Sequence, residues 1–176
     1  MKKFKVATVW LDGCSGCHMS LLDMDAAIIP LGRRIDIVYG PLVDAQEFPD
    51  DVDVTLVEGA VSSQDDLNKI REIRQRTQIL VSLGDCAVTG NVPSMRNNIP
   101  TNKLLQCIYV DGSEQSKVVP ADGVPTLLKD ARPLREYVKV DHWLPGCPPS
   151  AKAILGLITE LLDGKPADSG RSVKFG

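Results

Sequence analysis

The sequence predicts an α/β fold with a doubly wound, mostly parallel β-sheet of the flavodoxin-like type. Three observations lead to this fold class. Short apolar runs alternate with amphipathic stretches along the chain. Several of these runs are typical of parallel strands buried on both faces. The chain has 176 residues, of which 43% are hydrophobic, so it is long enough for one domain with its own core.

The elements follow one another in a β-α-β rhythm. Strands are predicted for residues 4–11 (FKVATVWL), 35–40 (IDIVYG), 52–61 (VDVTLVEGAV) and 78–84 (QILVSLG). A solvent-facing helix, residues 64–77, precedes the last of them, and a proline- and asparagine-rich long loop is predicted for residues 91–102. A short helix and strand follow at residues 135–144, and an amphipathic helix at 150–164 ends at Gly164. We therefore expect a single cluster-binding domain over residues 1–164 and a polar tail over residues 165–176.

Composition and charge exclude some function classes. The formal net charge of -3 gives no general attraction to nucleic acid or to an anionic membrane. The N-terminal residues carry no long apolar segment and no twin arginine, so we expect a cytoplasmic protein without direct membrane insertion. The five cysteines are an odd number and, in a reducing compartment, are more often metal-binding or catalytic than disulfide-bonded.

Four of the cysteines follow predicted strands. Cys14 and Cys17, in CSGC, come after the first strand, Cys86 follows QILVSLGD, and Cys147 follows VKVDHWLPG. Because the carboxyl ends of parallel strands meet at one edge of a sheet, we expect these four thiols to converge there.

Convergent thiols favour zinc or an iron-sulfur cluster. Structural zinc usually takes two close cysteine or histidine pairs, and only one such pair is present. A 4Fe-4S cluster suits ligands drawn from several segments, and cysteine followed by proline is typical of iron-sulfur ligands. The cluster is thus favoured over a zinc-stapled binding module and over a flavin site, for which CSGC is a poor phosphate loop.

Other residues near these motifs have competing interpretations. Cys107 lies in an apolar run and is predicted to be a buried structural thiol rather than a ligand. His18 directly follows a ligand, and Glu58 closes a buried strand at the ligand edge, so each has either a tuning or a purely structural role. Asp12 and Asp85 are expected to cap nearby N–H groups, and Trp10 and Trp143 to pack around the site or anchor a partner.

Motifs in order along the chain resemble those of the small, electron-transfer subunit of nickel-iron hydrogenases. These are CSGC, VEGAV, LGDCAVTGNVP and LPGCPPS, within about residues 6–162. The resemblance implies that Cys14, Cys17, Cys86 and Cys147 ligate one proximal 4Fe-4S cluster and that Glu58 lies beside it. It also implies that the nickel-iron centre belongs to a separate large subunit.

The likeness is strongest to the cytoplasmic, bidirectional, NAD-reducing type. CSGCHMSLLDMD is similar to that subfamily, and the leader and the cysteine-rich extension of exported small subunits are not seen in the sequence. This resemblance implies diaphorase partners with FMN and further iron-sulfur clusters, and the reaction of dihydrogen with NAD+ to give NADH and a proton. Ferredoxin- or deazaflavin-coupled hydrogenases remain alternatives, as does a respiratory NADH:quinone oxidoreductase-like complex, in which the first two ligands are adjacent.

Overall fold

A five-stranded parallel sheet forms the centre of the molecule in the computed structural model, which describes residues 3–114 and 117–165. Its strands are β1 (Phe4–Trp10), β2 (Ile35–Tyr39), β3 (Val52–Glu58), β5 (Thr77–Leu83) and β7 (His142–Leu144). Two further strands, β4 (Val61–Ser63) and β6 (Leu127–Arg132), form a separate antiparallel pair. The order in the main sheet is β2-β1-β3-β5-β7, which is the flavodoxin-like order. The predicted fold class is confirmed.

The part of the chain that the structure describes contains seven α-helices. They are α1 (Gly16–Leu22), α2 (Ile28–Leu31), α3 (Gln64–Arg76), α4 (Gly84–Thr89), α5 (Asn91–Ser94), α6 (Thr101–Gln106) and α7 (Ala151–Leu162). Short 3-10 turns occur at Asp25–Ala27, Met95–Asn98 and Leu134–Glu136, and a π turn at Cys107–Asp111. In the described part of the chain, no helix is both long and apolar enough to cross a bilayer.

The sheet is buried on both faces because successive side chains of a strand point to opposite sides. Leu56 of β3 packs in one apolar cluster with Ile154 and Leu157 of α7. The next residue, Val57, packs in the other cluster with Ile70 of α3. Leu56 and Ile70 are fully buried, and burial of such a side chain stabilises the fold by roughly 1.5–3 kcal/mol. The fold is therefore doubly wound, with one core on each side of the sheet.

Helix α3 begins where the sequence predicted because its first turn is capped on both sides. The Ser63 hydroxyl accepts a hydrogen bond from the Asp66 main-chain N–H at 3.1 Å. The Asp66 carboxylate accepts one from the Ser63 N–H at 2.9 Å. This capping box satisfies two N–H groups that otherwise lack a helical partner. The predicted helix over residues 64–77 is confirmed within one residue.

A salt bridge fastens the opposite end of the sheet, away from the carboxyl ends. Arg74, at the end of α3, donates to Asp141 at 2.5 Å, and the same carboxylate accepts the Leu80 N–H at 2.9 Å. Burial raises the pKa of Asp141, but the hydrogen bonds from Leu80 and Arg74 outweigh burial and hold the pKa below its ordinary value. This contact joins α3, β5 and the entry to β7.

Two sequence predictions need correction. Residues 91–102 are not an irregular long loop: they contain α5, a 3-10 turn and the start of α6. Side chains in this segment hold it against β6, since Asn97 exchanges two hydrogen bonds of 2.8 Å with the main chain of Ala131. The predicted single strand over residues 52–61 is two strands, because Gly59 adopts a positive φ of 93° between them.

The C-terminal elements agree with the prediction as far as they are described. Helix α7 starts after Ser150, whose hydroxyl accepts from the Ala153 N–H at 3.3 Å. It is followed by Gly164 at a φ of 65°, the left-handed conformation common after a helix end. The predicted tail lies outside the described residues apart from Lys165.

Candidate metal centre

The turn after β1 carries Cys14 and Cys17. Ser15 adopts a left-handed conformation with a φ of 64°, after which α1 begins. The start of this turn is tied to the β3–β4 corner, because Asp12 and Ala60 exchange main-chain hydrogen bonds of 3.1 and 2.8 Å. Cys14 is therefore presented in an exposed turn, whereas Cys17 lies half-buried in the first turn of α1.

The turns after β5 and β7 carry Cys86 and Cys147. Cys86 lies in the first turn of α4, and Cys147 lies in the turn that precedes α7. The Asp85 carboxylate accepts the Gly146 N–H at 2.7 Å, and the Gly146 carbonyl accepts the Asp85 N–H at 2.9 Å. This reciprocal pair fixes the two cysteine-bearing turns to each other. It also confirms the predicted capping role of Asp85.

A third contact connects α1 with the Cys147 turn. The buried Ser20 hydroxyl donates to the Pro149 carbonyl at 2.5 Å. The turns after β1, β5 and β7 thus form one hydrogen-bonded edge, as expected for the carboxyl ends of a parallel sheet.

The four thiols lie close enough together for the others to affect the ionisation of Cys17 and Cys86. Burial raises the pKa of Cys17 to about 12, with further increases from Glu58 and from Cys86, Cys14 and Cys147. The pKa of Cys86 is also raised, first by burial and then by Cys147 and Cys14. The predicted convergence of Cys14, Cys17, Cys86 and Cys147 is therefore present in the fold.

The spacing of these thiols differs from that of a single-ion site. Within residues 3–114 and 117–165, no three His, Cys, Asp or Glu side chains are grouped tightly enough to hold one metal ion. Four sulfur donors from three separate turns instead suit a larger sulfur-ligated group. The donor set fits a 4Fe-4S cluster, for which all-cysteine ligation is usual.

The main chain at Gly84 approaches the thiol of Cys17 closely. Gly84 has a positive φ of 81°, and a Cβ built on it would lie 2.2 Å from Cys17 Sγ. No side chain is compatible with that distance, so the position requires glycine. The thiol of Cys17 is thus held directly against the main chain at the start of α4.

Asn91 lies within the motif LGDCAVTGNVP but was not predicted to be a site residue. Its side-chain amide donates to Cys147 Sγ at 3.6 Å. Hydrogen bonds to ligand sulfurs tune the potential of iron-sulfur centres. Its place in that motif, directly after Gly90, was the only indication in the sequence.

Glu58 and His18 form a buried pair beside this edge. Glu58 is 2% exposed and His18 is 7% exposed. The Glu58 carboxylate accepts the His18 main-chain N–H at 2.8 Å and contacts the ring atom Nδ1 at 2.6 Å. Glu58 therefore does bond a main-chain amide directly after Cys17, and it bonds the imidazole as well.

One other expectation is wrong, and the two alternatives for the tryptophans are narrowed. Cys107 is exposed rather than buried, because the apolar run that contains it forms a surface helix with no fully buried residue. Trp10 is 46% exposed and Trp143 is 36% exposed, so neither is simply packed around the site. Trp10 is oriented by a hydrogen bond of 3.0 Å from Nε1 to the Gly13 carbonyl.

Fold and site together define a class of protein: a flavodoxin-like α/β domain with a four-thiol centre on the carboxyl edge of its sheet. Within that class, the chain belongs to the family described as NADH ubiquinone oxidoreductase, 20 Kd subunit, whose family model matches residues 14–161.

Hydrogenase subunits are among the relatives. The delta subunit of the NAD-reducing hydrogenase HoxS from Cupriavidus necator is 36% identical over 176 residues, covering 97% of this chain and 84% of the relative. A subunit of the F420-non-reducing hydrogenase vhu from Methanocaldococcus jannaschii is 37% identical over 163 residues, covering 92% of this chain. This chain spans only 57% of the length of that second relative.

Solved structures agree with these relationships. A chain of an NAD+-reducing [NiFe]-hydrogenase in the H2-reduced state superposes with a TM-score of 0.90 at 35% identity, with 94% of each chain covered. A chain of the [NiFeSe] hydrogenase from Desulfovibrio vulgaris Hildenborough, at 18% identity and a TM-score of 0.63, shares the fold. The resemblance to hydrogenase small subunits, and to the NAD-reducing type, is confirmed.

Proposed function

We propose that this chain is the electron-transfer subunit of a soluble, cytoplasmic nickel-iron hydrogenase. In this proposal Cys14, Cys17, Cys86 and Cys147 hold one 4Fe-4S cluster. The observation that supports this proposal most strongly is the convergence of these four thiols, from three separate turns, on one edge of the sheet. When bound, such a cluster supplies a relay that takes up and releases one electron.

The residues around the thiols hold the site in a fixed geometry. Asp85 and Gly146 lock the turns of Cys86 and Cys147 together, so their thiolates need little rearrangement on binding. Cys14 and Cys147 are exposed, which leaves that side of the site open to a partner subunit. Electron transfer to another subunit requires that the cluster lie close to that subunit.

The partners follow from the proposal. A large subunit holds the nickel-iron centre, where dihydrogen is split into two protons and two electrons. Diaphorase subunits with FMN and further iron-sulfur clusters pass the two electrons to NAD+, giving NADH and a proton overall. Support for this acceptor comes from the relative named as an NAD-reducing hydrogenase subunit, of which the chain covers 84%. The superposition that covers 94% of both chains adds to it.

Co-purification under anaerobic conditions tests the proposal. The tagged chain, expressed with its genomic neighbours, is expected to bring down a nickel-containing subunit and a flavin-containing module. The preparation should reduce NAD+ with dihydrogen. After separation from its partners under anaerobic conditions, this chain should retain about four iron and four sulfide. Stoichiometric zinc without sulfide, or one flavin released from this chain, would contradict the assignment.

A different electron acceptor is the second candidate. It is favoured by the 37% identity to a subunit of a hydrogenase described as F420-non-reducing. The same preparation, assayed with NAD+, ferredoxin and a deazaflavin in parallel, separates the candidates. Dihydrogen-dependent reduction of ferredoxin without reduction of NAD+ would replace the diaphorase assignment but leave the cluster assignment intact.

A further inference from the structure

His18 is a buried histidine whose ring has a single hydrogen-bond partner in the described part of the chain. Its Nδ1 lies 2.6 Å from Glu58 Oε2, whereas its buried Nε2 contacts no hydrogen-bonding group there. A buried polar ring atom without a partner is costly. Within the described residues, the contact between Nδ1 and Glu58 is therefore the one hydrogen bond that the imidazole ring makes.

The geometry assigns the direction of that hydrogen bond. Glu58 Oε2 already accepts the main-chain N–H of His18 at 2.8 Å. An ionised carboxylate can only accept hydrogen bonds, so an ionised Glu58 requires that Nδ1 carry the proton and donate it to the same oxygen. Both donors come from residue 18, directly after Cys17. Residue 18 thus fixes where the Glu58 carboxylate lies relative to the Cys17 turn.

The charge of Glu58 reaches the thiol centre. The Glu58 carboxylate accepts the N–H of the residue directly after Cys17 at 2.8 Å, and in the sheet Glu58 pairs with Leu83, three residues before Cys86. Besides burial, the charge of Glu58 also contributes to the raised pKa of Cys17. Glu58 is only 2% exposed, so solvent and salt screen its charge weakly. A fixed negative charge beside a sulfur-ligated centre disfavours the addition of an electron to that centre.

We propose that Glu58 and His18 form a positioning pair that sets the reduction potential of the cluster. The buried Glu58 carboxylate lowers the potential, and the Nδ1–H of His18 holds the carboxylate in place. This inference rests on the proposed cluster assignment and assigns these two side chains a role within it.

Two kinds of substitution test the pair in the purified complex. Glu58→Gln removes the charge but retains an oxygen that accepts the main-chain N–H of residue 18. His18→Asn retains a side-chain N–H at the position of Nδ1 and removes Nε2, whereas His18→Leu removes both. Asp36→Asn is the charge control, because Asp36 is an exposed carboxylate paired with Lys3 on the surface.

The measurement is an electron paramagnetic resonance titration of the complex against electrode potential. The signal of this cluster is identified by its loss in the Cys86→Ser variant. We expect a more positive potential in Glu58→Gln and no change in Asp36→Asn. We also expect a wild-type potential in His18→Asn and an altered one in His18→Leu.

Failure of the inference is distinguishable from failure of the proposed function. A wild-type chain without iron and sulfide overturns the function itself. A wild-type chain with its cluster, and an unchanged potential in Glu58→Gln, overturns the inference alone. If Glu58→Gln does not assemble, the histidine variants decide: equal potentials in His18→Asn and His18→Leu overturn the positioning role.

Discussion

Substitution of Gly84 by alanine provides a direct test of how tightly the thiol centre is built. Two costs follow from the structure. Gly84 has a φ of 81°, and a non-glycine residue in the left-handed region costs about 1–2 kcal/mol. In addition, the new Cβ would lie 2.2 Å from Cys17 Sγ. The thiol has to retreat by about 0.8 Å to restore a separation of 3.0 Å, which is a large part of a metal–sulfur bond of about 2.3 Å.

Gly164→Ala is the matched control for this experiment. Gly164 also has a positive φ, 65°, but a Cβ there would meet no atom within 4 Å. Gly164→Ala is expected to lose about 1–2 kcal/mol of unfolding free energy in urea titrations, and Gly84→Ala is expected to lose at least as much. Only Gly84→Ala is expected to lose most of its iron and sulfide, measured chemically after anaerobic purification. Full iron and sulfide content in Gly84→Ala would refute the reasoning. Equal losses of iron and sulfide in the two variants would refute it as well.

Three further outcomes are expected. Cys86→Ser and Cys147→Ser should lose the cluster and dihydrogen-dependent reduction, whereas Cys107→Ser should lose neither; equal loss at all three positions, measured by iron content and activity, contradicts the ligand assignment. Asn91→Ala should lower the reduction potential, since it removes an N–H donor from a ligand sulfur; an unchanged or higher value in a potentiometric titration argues against that hydrogen bond. Asp141→Asn should destabilise the chain by about 1 kcal/mol at pH 7 after allowance for screening. Because the pKa of Asp141 is held below its ordinary value, this difference in urea unfolding should be complete above the ordinary pKa of aspartate and should shrink as the pH falls through the lower folded-state pKa. A difference that does not shrink at acid pH has another origin.

The parts of the site that follow strands could be predicted from the sequence. Apolar runs of strand length gave the parallel sheet, and the cysteines after those runs were placed on one edge by the geometry of parallel strands alone. Cys86 and Cys147 needed no long-range information beyond that rule. Helix α3 was predictable for a local reason, because Ser63 and Asp66 form a capping box at its start.

Features that depend on contacts between distant residues could not be predicted in the same way. His18 and Glu58 are 40 residues apart in the chain, and no spacing indicates that their side chains meet. The short helices after Asn91 are held by side chains that bond the main chain of β6. Cys107 was misjudged because an apolar run indicates burial only if another element covers it.

The reciprocal bonds between Asp85 and Gly146 have a consequence for biosynthesis. The turn after β7, which contains Gly146, is translated later than the turns that contain Cys14, Cys17 and Asp85. The hydrogen bonds between Asp85 and Gly146 therefore cannot form until the turn after β7 has left the ribosome. The first two thiols emerge early and remain without their counterparts during much of translation. Iron and sulfide delivered to the nascent chain would meet an incomplete set of ligands. A cluster held by all four cysteines is therefore expected to assemble only after the turn of Cys147 has folded against the turn of Cys86.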